Sequence, residues 1–213
     1  MAKPRHKILV LGNGPQINDI NFDLLDPNVK TFGVNRIWLK HYPNYFFFQD
    51  HPIIRELDQN PIHKSKLIGK SRCFSSDWLK RHVKIAPAWL DIHPRSDRKS
   101  FPDSITSGLK LLSERYITNY SDYTFYIAGV NLKWMEPSHF WKQNGYQCSN
   151  KFGKGWYDVR FSKMLDNFKK LQTLGFNLVS VTPDSNLNKI MRFENIENLY
   201  LKQELTSTMS QNS

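Results

Sequence analysis

The sequence predicts an α/β fold: a single domain with a mainly parallel sheet and helices on both of its faces. Short apolar runs alternate with helical patterns along the chain, which is typical of strand–helix–strand units. The runs are continuous rather than alternating, as expected for strands that are buried on both faces. With 213 residues, of which 39% are hydrophobic, the chain is long enough to form one complete core.

Each predicted strand is an apolar run that ends in a polar or glycine-containing segment. The runs lie at 7–11, 30–34, 45–48, 71–74, 123–128 and 176–181. The first run is followed by Gly12-Asn13-Gly14-Pro15, which is typical of a turn. The crossovers between such parallel strands are expected to be right-handed.

Helical patterns occupy the intervals between the strands. One helix is predicted over about 51–57, and another from Asp103 or Ser104 to about Tyr116. A third, which Asp158 is expected to open, presents one apolar face and is closed by Gly175 at its C-cap. The apolar positions of this third helix are Phe161, Leu165, Phe168, Leu171 and Leu174.

The remaining segments complete the predicted domain, which extends over 1–201. Its shorter elements are helices that begin at Ser76 or Asp77 and at Asp184 or Ser185, and an irregular segment over 86–102. A loop-like insert over about 132–157 is expected to act as a lid. The polar tail at 202–213 is predicted to be disordered.

Composition limits the classes of function that the chain can have. No run of about 18 apolar residues occurs, so no membrane span or membrane anchor is predicted. Cys73 and Cys148 match neither a metal-binding spacing nor a disulfide framework, which favours a reducing, cytoplasmic compartment. The net charge of +11 suits a nucleic acid or an acidic surface. An ordinary soluble protein of basic composition fits this charge equally well.

Polar residues at the ends of the strands are the first place to search for a site. In open parallel sheets, ligands bind outside the carboxyl ends of the strands. The glycines of Gly12-Asn13-Gly14 would let backbone N–H groups approach a phosphate or a ribose. The loop lacks the third glycine of the dinucleotide fingerprint and the Gly-Lys-Ser/Thr of a phosphate-binding P-loop. Taken alone, it therefore fits a plain turn as well as it fits a site.

Five short motifs, taken together, give a more specific indication. They are Leu-Gly-Asn-Gly-Pro at 11–15, Gly-Val-Asn-Arg at 33–36, Ile-Thr-Ser-Gly at 105–108, Ile-Ala-Gly-Val-Asn at 127–131 and Thr-Pro-Asp-Ser-Asn-Leu at 182–187. Their order and spacing resemble the bacterial sialyltransferase family typified by the small Campylobacter lipooligosaccharide enzymes. The resemblance extends over roughly 7–191. It implies a single Rossmann-like domain with a lid, a CMP-activated sugar donor and catalysis without a metal ion.

The resemblance also implies a set of donor-binding residues. Asn13 would lie by the donor phosphate and ribose, and Asn131 replaces a family aspartate that holds the ribose. The start of the helix at Ser107 would contact the donor, since helix N-termini favour anions. The complete set is Gly12, Asn13, Gly14, Asn35, Asp50, Thr106, Ser107, Gly108, Gly129 and Asn131.

Three departures from the family pattern affect the catalytic residues. Ser104 stands where the family has an arginine near the donor sugar. Lys133 and His139 stand where it has lid tyrosines that bind the leaving phosphate, and either cation could neutralise that phosphate. Asp158, counted back from Pro183, stands where the family has its catalytic histidine, so it is the candidate general base. Equally, Asp158 could be a helix cap, Lys133 a solvated lysine and His139 a lid or surface histidine.

The acceptor is predicted from charge rather than from a motif. The excess of cations favours a polyanion, and the loss of arginine at Ser104 fits a neutral donor sugar. The predicted function is therefore a metal-independent glycosyltransferase that modifies a hydroxymethylated base in phage DNA, for example by arabinosyl transfer to hydroxymethylcytosine. Its partners would be duplex DNA and a CMP- or UDP-linked sugar. The alternatives are a sialyltransferase-like enzyme that acts on surface glycan and a non-catalytic nucleic-acid-binding module.

Overall fold

One parallel sheet forms the centre of the protein. The computed structural model describes residues 6–83, 85–94, 103–133, 139–140 and 154–201. Within these residues the sheet has eight strands in the order β5-β4-β3-β2-β1-β6-β7-β8, and every neighbouring pair is parallel. The strands are β1 (His6–Leu11), β2 (Val29–Val34), β3 (Tyr45–Phe47), β4 (Arg72–Ser76), β5 (Asp91–His93), β6 (Tyr123–Ala128), β7 (Asn177–Ser180) and β8 (Arg192–Phe193).

The order of the strands creates a switch point between β1 and β6. The chain builds the sheet outward from β1 to β5, then crosses back to place β6 on the free side of β1. Leu11 at the end of β1 is in register with Gly33 of β2 and with Ala128 of β6. Connections therefore leave β1 and β6 toward opposite faces of the sheet, which opens a crevice at their carboxyl ends.

Helices cover both faces of the sheet. They are α1 (Pro52–Asp58), α2 (Pro61–Lys70), α3 (Ser104–Arg115) and α4 (Lys154–Thr173), together with 3₁₀ turns at Pro15–Asp19, Phe22–Leu24, Ile37–Leu39, Asp77–Arg81, Tyr120–Asp122, Asn186–Lys189 and Ile196–Leu199. Alternate side chains of a strand point to opposite faces. Ile8 and Val10 of β1 accordingly join the apolar cluster of α3 and α4, while Leu9 and Leu11 join the cluster of α1 and α2. In the described part of the chain, no helix is long and apolar enough to cross a membrane.

The predicted α/β architecture is confirmed, and all six predicted strands are present with bounds that differ from the prediction by at most two residues. Three further elements, α2, β5 and β8, were not predicted from the sequence. In β5, which lies inside the segment expected to be irregular, only Ile92 is apolar. In α2, only Leu67 is buried, so the apolar periodicity that marks a helix is weak.

The start of α4 corrects two predictions. The helix begins at Lys154, so residues 154–157 are helical rather than part of a loop. Asp158 therefore lies inside the helix and does not open it, and the prediction that it serves as the N-terminal cap is wrong. Most of the expected lid, at 134–138 and 141–153, and the tail at 202–213 lie outside the described residues.

Close packing of α3 on the sheet depends on Gly108. A Cβ atom at this position would lie 2.6 Å from Phe32 Cζ and 2.7 Å from Phe47 Cδ1. Both rings are fully buried, so neither can move into solvent. The position thus requires glycine because the helix and the two strands approach closely.

We predict that Gly108→Ala destabilises the fold. The overpacking should cost about 1–3 kcal/mol, against a gain of at most about 1 kcal/mol from the better helix propensity of alanine. Urea denaturation measures the difference. Gly69→Ala is the matched control, because a Cβ at Gly69 of α2 has no atom within 4 Å. Equal stability of Gly108→Ala and the wild type would contradict this packing.

A half-buried histidine, His41, is expected to make the fold sensitive to acid. His41 stacks on Phe22 at 4.3 Å, and its Nε2 lies 3.2 Å from Thr31 Oγ1. Burial, assisted by the nearby charge of Lys70, lowers the pKa of His41 from 6.5 to about 4. Between these two values the unfolded chain binds a proton that the folded chain does not bind. Stability therefore falls as the pH falls through this window.

We predict that His41→Gln makes the loss of stability between pH 6.5 and pH 4 smaller by about 2–3 kcal/mol. Urea denaturation of both proteins at several pH values gives the two slopes. Parallel pH profiles for the wild type and His41→Gln would show that His41 titrates normally in the folded protein.

Candidate functional site

The loops that follow β1 and β6 are joined at the switch point by backbone hydrogen bonds. Gly12 N–H donates to Ala128 O at 2.8 Å, and Gly14 N–H donates to Gly129 O at 2.7 Å. A Cβ on Gly12 would lie 2.5 Å from Gly129 O, and Gly129 itself has a φ of +65°. These glycines allow the two loops to approach each other. Because the N–H groups of Gly12 and Gly14 are used in this way, a ligand contact from the first loop depends on Asn13.

The loop that follows β6 is held in place by two other segments. The buried Asn131 donates from Nδ2 to Gln16 Oε1 at 2.8 Å, which links it to the turn after β1. From the loop after β7, Asn186 N–H donates to Asn131 O at 2.8 Å, and Ser185 Oγ donates to Val130 O. The 182–187 motif therefore supports the position of Asn131. Lys133, just beyond, is exposed.

Buried polar atoms without a hydrogen-bond partner line the carboxyl edge of the sheet. Asn13 Oδ1, Asn35 Oδ1 and Gln49 Nε2 follow β1, β2 and β3, and Ser76 Oγ ends β4. Among the described residues, none of these four atoms has a partner. A buried polar atom left unpaired costs about 1–3 kcal/mol, so native proteins pair such atoms with water or with a ligand. Uncharged donors and acceptors in this arrangement suit the hydroxyl and carbonyl groups of a polar ligand.

The N-terminus of α3 is capped by a carboxylate. Asp103 accepts hydrogen bonds from Thr106 N–H at 2.8 Å, from Thr106 Oγ1, and from Asn167 Nδ2 of α4 at 2.8 Å. Thr106 and Ser107 are buried. Two of the predicted donor-binding residues in this segment therefore have structural contacts. Thr106 takes part in the cap, and Gly108 packs against β2 and β3.

Of the three predicted catalytic residues, His139 is connected to the β1 loop through the residue that follows it in the chain. Its neighbour Phe140 is buried and donates from its N–H to Asn13 O at 3.1 Å, so His139 is held beside that loop. Asp158 is exposed on α4. It lies nine residues before Asn167, or about 13 Å along the helix axis from the cap of α3.

Asp50 and Asn35 differ in their surroundings, although both follow strands of the sheet. Asp50 is exposed at the start of α1, where its carbonyl accepts from Ile53 N–H at 3.2 Å. Asn35 has a φ of +54°, and its N–H continues the ladder to Phe47 O at 3.0 Å. Asparagine tolerates this left-handed conformation better than most residues. The backbone therefore turns sharply at the end of β2.

Sequence reasoning missed several residues of this edge. Gln49 and Ser76 follow or end predicted strands, so the rule that selected Asn35 could have found both. Gln16, Asp103 and Asn167 gave no such signal, because each is defined by a partner that is distant in the sequence or on another element.

These features define the class of protein by its fold: a Rossmann-like parallel sheet with a polar crevice at its switch point. No protein-family profile and no curated protein sequence matches the chain. Among solved structures, it is similar to the monofunctional α-2,3-sialyltransferase Cst-I from Campylobacter jejuni. The identity is 16%, the TM-score is 0.53, and the match covers 97% of this chain and 92% of that chain.

A second similar structure is the sialyltransferase CstII from Campylobacter jejuni in complex with the substrate analogue CMP-3FNeuAc. Here the identity is 15% and the TM-score is 0.50, with 92% of this chain and 89% of that chain covered. The structural neighbours are thus the enzymes that the five motifs indicated. At this level of identity the likeness establishes the fold, and the predicted Rossmann-like fold is confirmed.

Proposed function

We propose that this protein is a glycosyltransferase that binds a CMP-linked sugar at the carboxyl edge of its sheet. The observation that carries the proposal is the row of buried, unpaired polar atoms at Asn13, Asn35, Gln49 and Ser76. They lie at the switch point of a fold whose neighbour CstII was solved with CMP-3FNeuAc. A nucleotide sugar supplies hydroxyl, carbonyl and phosphate groups that would satisfy such atoms.

The roles proposed for the binding residues follow from their positions. Asn13 would bind the donor phosphate or ribose from the β1 loop. Asn131, fixed by Gln16 and Asn186, would face the ribose from the opposite side of the switch point. His139, held beside Asn13, would stabilise the phosphate as it leaves, together with the exposed Lys133.

The proposed reaction is a direct displacement at the anomeric carbon of the sugar. An acceptor hydroxyl forms the new C–O bond while the bond from the anomeric carbon to the phosphate oxygen breaks, so CMP departs. The proton of the hydroxyl passes to a general base, for which Asp158 is the proposed residue. Because α4 begins before Asp158, a catalytic role no longer competes with the capping role that the sequence left open. We also propose that no metal ion takes part.

The comparisons favour a glycan acceptor over DNA. Both neighbours are sialyltransferases, and neither supports the prediction of a hydroxymethylated base in phage DNA. The sialyltransferase-like alternative, in which the acceptor is a hydroxyl of a surface glycan, is therefore the better-supported proposal. A glycan that carries phosphate or carboxylate groups would suit the net charge of +11 as well as DNA does.

We predict that Asn13→Ala weakens the binding of CMP about 2- to 10-fold, since Asn13 Oδ1 would lose a hydrogen bond from a ribose hydroxyl, which contributes about 0.5–1.5 kcal/mol. Titration calorimetry with CMP measures the affinity of each protein. Asn198→Ala removes an exposed asparagine after β8 and should bind CMP as the wild type does. If the wild type does not bind CMP at millimolar concentration, the proposed donor site is refuted.

We predict that Asp158→Asn lowers kcat about 10²- to 10⁴-fold and leaves the affinity for CMP unchanged, as expected for the loss of a general base. The assay measures the release of CMP from the CMP-linked sugar donor in excess EDTA. The acceptor is a galactose-terminated oligosaccharide in one series and duplex DNA that contains hydroxymethylcytosine in the other. Asp166→Asn, at an exposed position on the same helix, is the control. A wild-type rate in Asp158→Asn would transfer the proposed role of base to His139.

A further inference from the structure

The outer end of the row of unpaired polar atoms lies where β3 and β4 end. Ser75 Oγ of β4 donates to Phe48 O, just after β3, so the ends of these two strands are joined. The next residues along the chain, Gln49 and Ser76, are buried and carry the unpaired atoms. Neighbouring strands are about 4.8 Å apart, so β4, the third strand from β1, lies about 14 Å from it. This end of the row is therefore well separated from the switch point.

Two histidine rings stack on each other beside this end of the row. His51 immediately precedes α1, and His82 immediately follows the 3₁₀ turn at Asp77–Arg81. Their ring centroids are 5.0 Å apart, and the angle between the ring planes is 18°. Both residues are exposed, and an imidazole carries at least one N–H donor in either protonation state. The connections after β3 and β4 therefore meet in a pair of rings that can donate hydrogen bonds to a ligand.

An arginine of the same 3₁₀ turn stacks on a tryptophan. The guanidinium carbon of Arg81 lies 4.4 Å from the ring centroid of Trp78, which is 41% exposed, and the centroids of the Trp78 and His82 rings are 6.2 Å apart. A guanidinium that stacks by its face keeps the N–H groups on its edge available, and their fork matches a carboxylate or a phosphate. We call the surface formed by His51, Trp78, Arg81 and His82 the β3–β4 rim.

The charged residues around the β3–β4 rim have both signs. Among the described residues of α1, of the 3₁₀ turn and of the two positions before α1, the exposed cations are Arg55, Lys80 and Arg81, and the carboxylates are Asp50, Glu56, Asp58 and Asp77. Two of these carboxylates already have cationic partners, since Glu56 pairs with Arg36 and Asp58 pairs with Lys64. Recognition of an anion at the rim would therefore depend on the oriented guanidinium of Arg81 more than on a large net charge.

We propose that the β3–β4 rim binds an anionic group, a carboxylate or a phosphate, of the acceptor glycan. The proposal rests on the proposed function and identifies the class of its acceptor. In a direct displacement, the acceptor hydroxyl approaches the anomeric carbon from the side opposite to the departing phosphate. With the nucleotide at the switch point, that side is the outer end of the row. Arg81 would pair with the anionic group through the edge of its guanidinium, and His51 and His82 would donate hydrogen bonds to it.

The test is an NMR titration of the CMP-saturated protein that follows the ring signals of His51 and His82, assigned with His51→Gln and His82→Gln. The probes are methyl β-galactoside and two analogues of it, one with a carboxylate and one with a phosphate at C6. We expect at least one anionic analogue to bind about 3- to 10-fold more tightly than the neutral galactoside. Because exposed charges are screened, this preference should shrink in about 0.5 M salt.

The variant that tests the role of the guanidinium is Arg81→Gln. It should reduce the preference for the anionic analogue to less than about 2-fold and leave the affinity for CMP unchanged. Arg192→Gln is the matched control, because it removes an exposed arginine from β8, which is six strands away from β4 in the sheet. This control should keep the preference of the wild type. Urea denaturation verifies that both variants are folded.

Four results would overturn the inference while the proposed function stands. The CMP-saturated wild type could bind all three galactosides equally, or Arg81→Gln could keep the full preference. A loss of CMP affinity in Arg81→Gln would assign this cation to the donor site. Displacement of the anionic analogue by duplex DNA at equal phosphate concentration would make the rim a DNA-binding surface. Absence of CMP binding in the wild type would overturn the proposed function and this inference together.

Discussion

The pair of backbone hydrogen bonds that joins the loops after β1 and β6 is the constraint on which the site depends. Gly12 and Gly14 donate to carbonyl groups at the end of β6, and both contacts need residues without a side chain. This junction closes the base of the crevice and fixes the directions in which Asn13 and Asn131 leave the sheet. Phe140, which bonds to Asn13 O, fixes the adjacent histidine by the same means. A side chain at Gly12 or Gly14 would therefore disturb all of these positions together.

Hydrogen bonds to Asp103 connect the two largest helices, α3 and α4, at the edge of the sheet. The carboxylate of Asp103 accepts hydrogen bonds from its own helix and from Asn167 of α4, so one side chain connects the two helices that cover the same sheet face. The remaining contacts between these helices and the sheet are apolar and have no preferred direction. The hydrogen bond between Asn167 and Asp103, in contrast, is directional, and it lies near the edge of the sheet where the ligand is proposed to bind.

The sequence allows the sheet to be predicted, because continuous apolar runs such as 123–128 are typical of buried parallel strands. It does not allow β5 to be predicted, since Asp91-Ile92-His93 is an edge strand with a single apolar residue. Asn13, Asn35 and Asn131 could be selected as candidate site residues because they follow predicted strands, and the carboxyl ends of parallel strands are where ligands bind. The bond between Asp103 and Asn167 joins residues that are 64 positions apart, so only the folded chain reveals it. The start of α4 was missed because the apolar stripe begins at Phe161, a full two turns after the helix does.

The position of Asn167 within α4 has a mechanical consequence. Burial along the helix increases toward its C-terminal half, where Phe168 and Leu171 are fully buried, whereas Val159 is 56% exposed. The start of α4, which includes Asp158, is therefore packed less closely than the part around Asn167, although Phe161 between them also packs against the core. Asp158 lies about 13 Å from Asn167 along the helix axis, so a tilt of about 10° at Asn167 would move Asp158 by about 2 Å. A displacement of this size separates a hydrogen bond from no contact, so the packing around Asn167 would determine whether Asp158 reaches a ligand.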